Sequence, residues 1–465
     1  MQARLGGPIG RWARSASWWT AVRVLVILTT ISYAIGYLLS YPCRSNDWAS
    51  PDRYEHLCYS DIPALFSLRG FADGYLPYLQ TPPGGQPLEY PVLTGVFMQI
   101  AAVITKGADG LAHGANAMVT FFDVNSVLLL LALLAAVIAC ALTVRSRPWD
   151  ALMIAISPSV IVAARINWDL LPLAFAGIAL ALWSRKRPFW AGVLLGLAIA
   201  AKFYPLIFLI GFAVLALRSG KWRAFGALVG GTAIAWLVVN VPFMVGNFSG
   251  WSYFYSFSSS RGQDFGSAWF AANLLGAPAL DPHTLNVVAT GLFIALAAAI
   301  AVVSLSTARR PRLAQVLLLL VIAFTITNKV YSPQYVLWLV PLVALARPRW
   351  RDYLIWQAGE LIYFAAIWWF LVGYGTDTTK TLESQWYAIA TFIHIAASIY
   401  LAVMVIRDMV RPDHDLIRND GIRADHDDPG GGVFDGAPDV FSLSRTAADV
   451  SQDNASTARS QVPKP

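Results

Sequence analysis

Arginine and lysine are not scattered along this chain; they recur in tight clusters at every second break between apolar runs. The runs lie near 21–41, 118–143, 150–164, 168–184, 188–201, 204–218, 224–245, 286–305, 313–327, 335–347, 353–373 and 386–406. The clusters are Arg145 and Arg147; Arg185, Lys186 and Arg187; Arg218, Lys221 and Arg223; Arg309, Arg310 and Arg312; Arg347, Arg349 and Arg351; and Arg407 with Arg411. Basic loops are retained on the cytoplasmic side of a membrane. With the N-terminus and its Arg4, Arg11 and Arg14 inside, every cluster falls on that side. The pattern predicts an all-α polytopic transmembrane bundle of about 12 spans, in the cell membrane, with both termini cytoplasmic.

Composition supports this reading. Of 465 residues, 57% are hydrophobic and only 13% charged, whereas soluble domains carry about 25% charged residues. The net charge of +7 sits in short inter-span loops, so it gives no reason to expect a nucleic-acid partner; the bilayer is the partner it implies.

The expected layout is a cytoplasmic N-terminus over 1–20, a transmembrane domain over 21–407, and a tail over 408–465. The run 21–41 spans a bilayer and lacks a small-residue cleavage site, so it reads as an uncleaved signal anchor. Residues 91–105 are apolar enough to span, but counting them would invert every later loop. They are read as an interfacial helix on the outer leaflet. Two large outer loops follow, 42–117 and 246–285. The tail is rich in Asp, Gly, Ser, Pro and Ala and is expected to stay disordered in the cytosol. Cys43 and Cys58 bracket part of the first outer loop. On that side they can form a disulfide worth about 3 kcal/mol for a loop of this length; the alternative is two reduced thiols.

The unusual polar residues collect on the side opposite the basic clusters. The first outer loop carries Asp61, Arg69, Asp73, Tyr78, Glu89 and Tyr90; the turn RINWD carries Arg165, Asn167 and Asp169; AKFYP carries Lys202 and Tyr204. The loop SSSRGQDFGS holds Arg261, Asp264 and Ser267, and NKVYSPQY holds Lys329, Ser332, Gln334 and Tyr335. Charges in short turns between spans are costly unless paired or used. Arg165, Lys202, Arg261 and Lys329 oppose the positive-inside bias, which points to a phosphate headgroup as their ligand; ion pairing with Asp169, Asp264 and Glu89 is the other reading. Asp61, set among Tyr59, Ile62, Pro63, Leu65 and Phe66, has the apolar setting of a general base, but Asp followed by Pro two residues later also starts helices well. Glu360 and His394 read as interhelical hydrogen-bonding groups, and Trp168, Trp269, Trp338, Trp356 and Trp386 mostly as interfacial anchors.

Taken in order, Asp61, EYP at 89–91, RINWD, AKFYP, SSSRGQDFGS and KVYSPQYVLWLVPL at 329–342 resemble the integral-membrane C superfamily of polyprenyl-phosphate-sugar-dependent glycosyltransferases. They look most like the family 87 branch, which includes actinobacterial α-1,2-mannosyltransferases. The resemblance covers about residues 20–407. It implies a lipid-linked donor on the outer face, usually polyprenyl-phosphate-mannose, and a cell-envelope glycolipid or glycan acceptor. Asp61 takes the place of the conserved first-loop acid, the general base of an inverting transfer. Arg165, Lys202, Arg261 and Lys329 would bind the donor phosphate, while Glu89, Tyr90, Asn167, Asp169, Tyr204, Asp264, Ser332, Gln334 and Tyr335 would line the substrate site. No tightly bound cofactor is expected. A divalent metal stays open, because Asp61 lacks the adjacent second acid of some superfamily members. The alternative function is a transporter or flippase for lipid-linked sugars, and arabinofuranose is the alternative sugar.

Overall fold

A computed structural model of the chain describes residues 19–111, 116–374, 381–419 and 427–443. Regular structure among these residues is entirely helical. Helix α1 covers Ala21–Leu39, and the first loop contains α2 (Asp61–Leu68) and α3 (Val92–Leu111). There follow α4 (Ala117–Thr143), α5 (Leu170–Ser184), α6 (Pro188–Ala201), α7 (Phe208–Ser219), α8 (Trp222–Gly246), α9 (Phe248–Ser260), α10 (Pro282–Ser306), α11 (Leu313–Thr327), α12 (Val336–Ala346), α13 (Trp350–Gly373) and α14 (Ser384–Val410). Helices α1, α4, α8, α10, α13 and α14 are each long and apolar enough to cross a membrane. The chain is a multi-pass membrane protein.

The remaining apolar helices are short, and their shortness shapes the site. Helices α5, α6 and α11 have 15, 14 and 15 residues. At about 1.5 Å per residue each is well short of a ~30 Å hydrocarbon core. The turns after or before them therefore sink into the bundle and carry their polar side chains with them: Asn167, Asp169 and Lys329 are all buried. The expected span 150–164 is not one helix. It is a chain of short pieces, Pro148–Ala151, Leu152–Ala155 and Pro158–Ala163. Pro158 disfavours helical backbone at Ser157 and has no N–H to continue the ladder.

Close packing comes from small residues. A Cβ on Gly192 or Gly196 of α6 would stand 2.0 Å from the Leu228 carbonyl or 2.4 Å from that of Thr232, both on α8. A GxxxG spacing of this kind lets two helix backbones touch. Helix α3 does not run toward the basic end of the bundle. Thr94 near its start donates to the Ala201 carbonyl at 2.7 Å, its Lys106 lies beside Gly74 of the first loop, and Asn116, just beyond it, reaches Asp47 at 2.7 Å. Both of its ends thus lie on the face that carries the first loop.

The opposite face departs from expectation. The tail, expected to be disordered, is folded onto the arginine clusters wherever it is described. Arg312 pairs with Asp415 at 2.7 Å, Arg218 with Asp439 at 2.7 Å, and Arg310 with both Asp427 and Asp439 at 2.5 and 2.8 Å. Phe434 is fully buried against Trp183 and Phe212, and the Trp183 indole N–H donates to the Gly431 carbonyl. The tail has too little apolar surface to fold alone. It orders here because buried arginines without counter-ions supply what its aspartates need. The expected N-terminal segment 1–18, and 420–426 and 444–465 of the tail, lie outside the described residues.

Candidate active site

A cavity of about 570 Å³ opens on the first-loop face, lined by residues from α2, α9, α13 and the sunken turns. Asp61 is the first residue of α2. The cap is Ser60, whose hydroxyl accepts from the Ile62 N–H at 3.2 Å, so Asp61 is free of that duty. Its backbone N–H donates to the Ile166 carbonyl at 2.7 Å. Its carboxylate accepts from Tyr59 Oη at 2.8 Å and from Tyr90 Oη at 3.3 Å. Burial pushes the Asp61 carboxyl above the usual carboxylate range, with the two tyrosines and Lys202 working against that rise. The negative charge of Asp61 holds the Tyr59 phenol neutral, and burial does the same for Tyr90, so both serve as donors.

Lys202 ends α6 and faces the cavity from the other side. It pairs with Asp169 at 2.9 Å and lies within 6 Å of the Tyr90, Tyr335 and Trp338 ring centres. Burial is the largest single influence and opposes its charge, but Asp169, Tyr335 and Asp61 together outweigh it and hold the ammonium above its ordinary range. Arg261 is the most exposed cation of the rim, paired with Asp264. Arg69 forms a two-pronged pair with Glu89 at 2.7 and 2.9 Å. Asn167, Ser332, Gln334 and Tyr335 complete the polar lining.

The cavity therefore gathers Asp61, Glu89, Tyr90, Asn167, Lys202, Arg261, Asp264, Ser332, Gln334 and Tyr335. Four expected site residues stand elsewhere. Lys329 does not line it: its ammonium donates to the carbonyls of Arg261 and Ser259 at 2.5 and 3.4 Å, bracing the loop behind the rim. Asp169 is buried behind Lys202 as its counter-ion. Tyr204 is core, stacked on Trp338 with centres 4.3 Å apart. Arg165 points into a different cavity, described below. Trp168, Trp338 and Trp356 are buried packing residues and not interfacial anchors; Trp386 is exposed. Glu360 accepts from the Trp356 indole at 3.0 Å and lies 3.5 Å from His394, in the interior between α13 and α14. Cys43 and Cys58 are joined in a disulfide, Cα atoms 5.9 Å apart.

Sequence reasoning missed the aromatic wall. Tyr54, Tyr59 and Trp368 stack in series and line the cavity beside Asp61. The spacing of Tyr59, two residues ahead of Asp61, was the available signal.

The model of glycosyltransferase family 87 matches residues 90–327, more than half of the chain. The chain belongs to glycosyltransferase family 87. Asp61 and the 332–335 turn lie outside the matched stretch; the cavity geometry alone brings them together. No curated protein matches the chain. Among solved structures, that of ArnT from Cupriavidus metallidurans bound to undecaprenyl phosphate is similar at 12% identity, over 84% of this chain and 78% of that one, with a TM-score of 0.43.

Proposed function

We propose that this glycosyltransferase moves a hexose, mannose in our reading, from a polyprenyl-phosphate-linked donor to a cell-envelope glycolipid or glycan, with its first-loop face toward the cell exterior. The observation that carries this is the meeting, in one cavity, of a carboxylate of raised basicity with separate cations. Asp61 takes the proton of an acceptor hydroxyl as that oxygen bonds to the anomeric carbon. The bond from this carbon to the phosphate oxygen breaks, and its electron pair leaves with the polyprenyl phosphate. Attack opposite the leaving group inverts the configuration. Lys202 and Arg261 stabilise the charge that develops on the phosphate. Lys202, held among aromatic faces and one buried carboxylate, is already in place before donor arrives, so little reorganisation opposes the step.

The test is transfer of radiolabelled mannose from polyprenyl-phosphate-mannose in washed membranes, comparing wild type with Asp61→Asn at matched expression. Transfer by wild type and none by the variant is the expected result. Equal transfer by both would remove Asp61 from the chemistry, and inertness toward this donor while the arabinose-linked donor reacts would reassign the sugar.

A further inference from the structure

A second cavity of about 250 Å³ lies on the far side of Tyr59 and Ser60 from the first, between the end of α1 and the middle of α13. Tyr59 lines both. Arg165 reaches into this space and is 4% exposed. Two of its guanidinium nitrogens donate to the carbonyls of Tyr33 and Ile161, at 3.2 and 2.9 Å, and its plane rests on the Tyr33 ring. Its Nε has no hydrogen-bond partner. Among the described residues no carboxylate lies within ion-pair distance of it, whereas Arg147, Arg218, Arg310, Arg312 and Arg347 each have one. A buried guanidinium with neutral partners alone leaves the desolvation of its charge uncompensated.

Ser40, His56, Tyr59 and Ser60 line the loop side of the cavity, and the side toward the helices is apolar. Leu39 of α1 and Leu361, Phe364 and Ala365 of α13 line it. The same stretches turn Leu38 and Ile362 outward at 67% and 49% exposure, so the seam between α1 and α13 is a lipid-facing boundary. The position is set by Gly36: a Cβ there would stand 2.2 Å from the Arg165 guanidinium, so only glycine lets the cation lie against α1 at this depth.

We propose that this cavity seats the phosphate head of a lipid, with Arg165 as its cation and the α1–α13 seam as the path of its hydrocarbon chain. The phosphate supplies the missing counter-charge, and the apolar walls take the chain beside it. Two sources share this chemistry: the phosphate of a glycolipid acceptor and that of an anionic bilayer phospholipid. Either places the lipid one side chain, Tyr59, away from the carboxylate of Asp61. The proposal does not depend on which sugar is transferred.

The test uses purified full-length protein in phosphatidylcholine nanodiscs supplemented with phosphatidylglycerol, with retained lipid counted by native mass spectrometry. Wild type is expected to retain phosphatidylglycerol in preference to phosphatidylcholine. Arg165→Gln should lower that retention about tenfold, the loss of roughly one charge-assisted contact. Because Arg165→Gln also frees two backbone carbonyls, Ala365→Phe provides the second variant; it fills the cavity and leaves Arg165 in place, and it should lower retention similarly. Equal retention by all three proteins, or loss with Arg165→Gln alone, would overturn the site. Transfer kinetics then separate the sources. A raised acceptor KM in Ala365→Phe, at unchanged donor KM, assigns the acceptor's phosphate; unchanged KM with activity following phosphatidylglycerol content assigns the bilayer lipid. Retention needs no sugar transfer, so its failure is separate from failure of the glycosyltransferase reading.

Discussion

Tyr59 and Asp61 are two residues apart in sequence and meet again in space, the phenol donating to the carboxylate at 2.8 Å across the N-terminus of α2. The extended backbone at Ser60 turns both side chains to the same cavity. The phenol lowers the affinity of Asp61 for a proton, against the larger effect of burial.

Removing that donor gives the first prediction. A hydrogen bond to a charged group is worth about 1.5–3 kcal/mol, and this one favours the ionised carboxylate. The base works only when ionised, so transfer rises with pH through the carboxyl's pKa. In Tyr59→Phe that pKa goes up, and the acid limb of the pH–rate profile should move to higher pH. The rates of variant and wild type should converge above the limb. A profile that is lowered uniformly at every pH would show that Tyr59 acts in some other way.

Asp169 is fully buried and Lys202, partly buried, is its counter-ion, so removing Lys202 strands the carboxylate. Lys202→Met should cost about 3–5 kcal/mol of stability and abolish transfer. Lys202→Met with Asp169→Leu should restore the unfolding temperature in detergent while transfer stays absent. Recovery of transfer in the double variant would deny Lys202 a part in the chemistry.

Arg261 and Lys329 should separate kinetically. Arg261→Gln removes a rim cation and is expected to lower kcat/KM for the donor about tenfold to a hundredfold, the loss of one charge-assisted contact in the transition state, with unfolding unchanged. Lys329→Met removes the brace that holds the Arg261 and Ser259 carbonyls, and should lower the unfolding temperature. The pair is compared by donor titration alongside thermal unfolding.

On the basic face, Asp415→Asn leaves Arg312 buried with a weaker partner, and Phe434→Ala empties a packed site between Trp183 and Phe212. Each should cost about 3–5 kcal/mol, read as earlier thermal unfolding and faster proteolysis of the tail. A tail that served no part of the fold would show neither.

Much of the architecture could be read from the chain before any coordinates. Most helical segments follow the apolar runs within a few residues, the broken stretch 150–164 excepted, and Asp61 could be singled out because an acid in an apolar loop setting is costly. The fate of the four cations in the turns of the first-loop face could not. Arg165 and Lys202 occupy similar turns, yet one enters the main cavity and the other does not. The difference lies in Gly36 on α1, which admits the Arg165 side chain, and in Asp169, which draws Lys202 inward. Both are contacts between distant segments that hydropathy does not record. The tail was misread for a related reason: low apolar content describes a segment by itself, and Asp415, Asp427 and Asp439 fold against arginines one to two hundred residues earlier in the chain.

Those aspartates are all synthesised after helix α14. While α1 to α14 emerge, Arg218, Arg310 and Arg312 have no tail to meet, so their full positive charge is present while loop charge can bias how each helix threads. Only after the final helix has been made does the acidic strap exist to neutralise them. The same arginines are thus bare while the helices are made and clasped only afterwards, and the order of the chain keeps those two states apart in time.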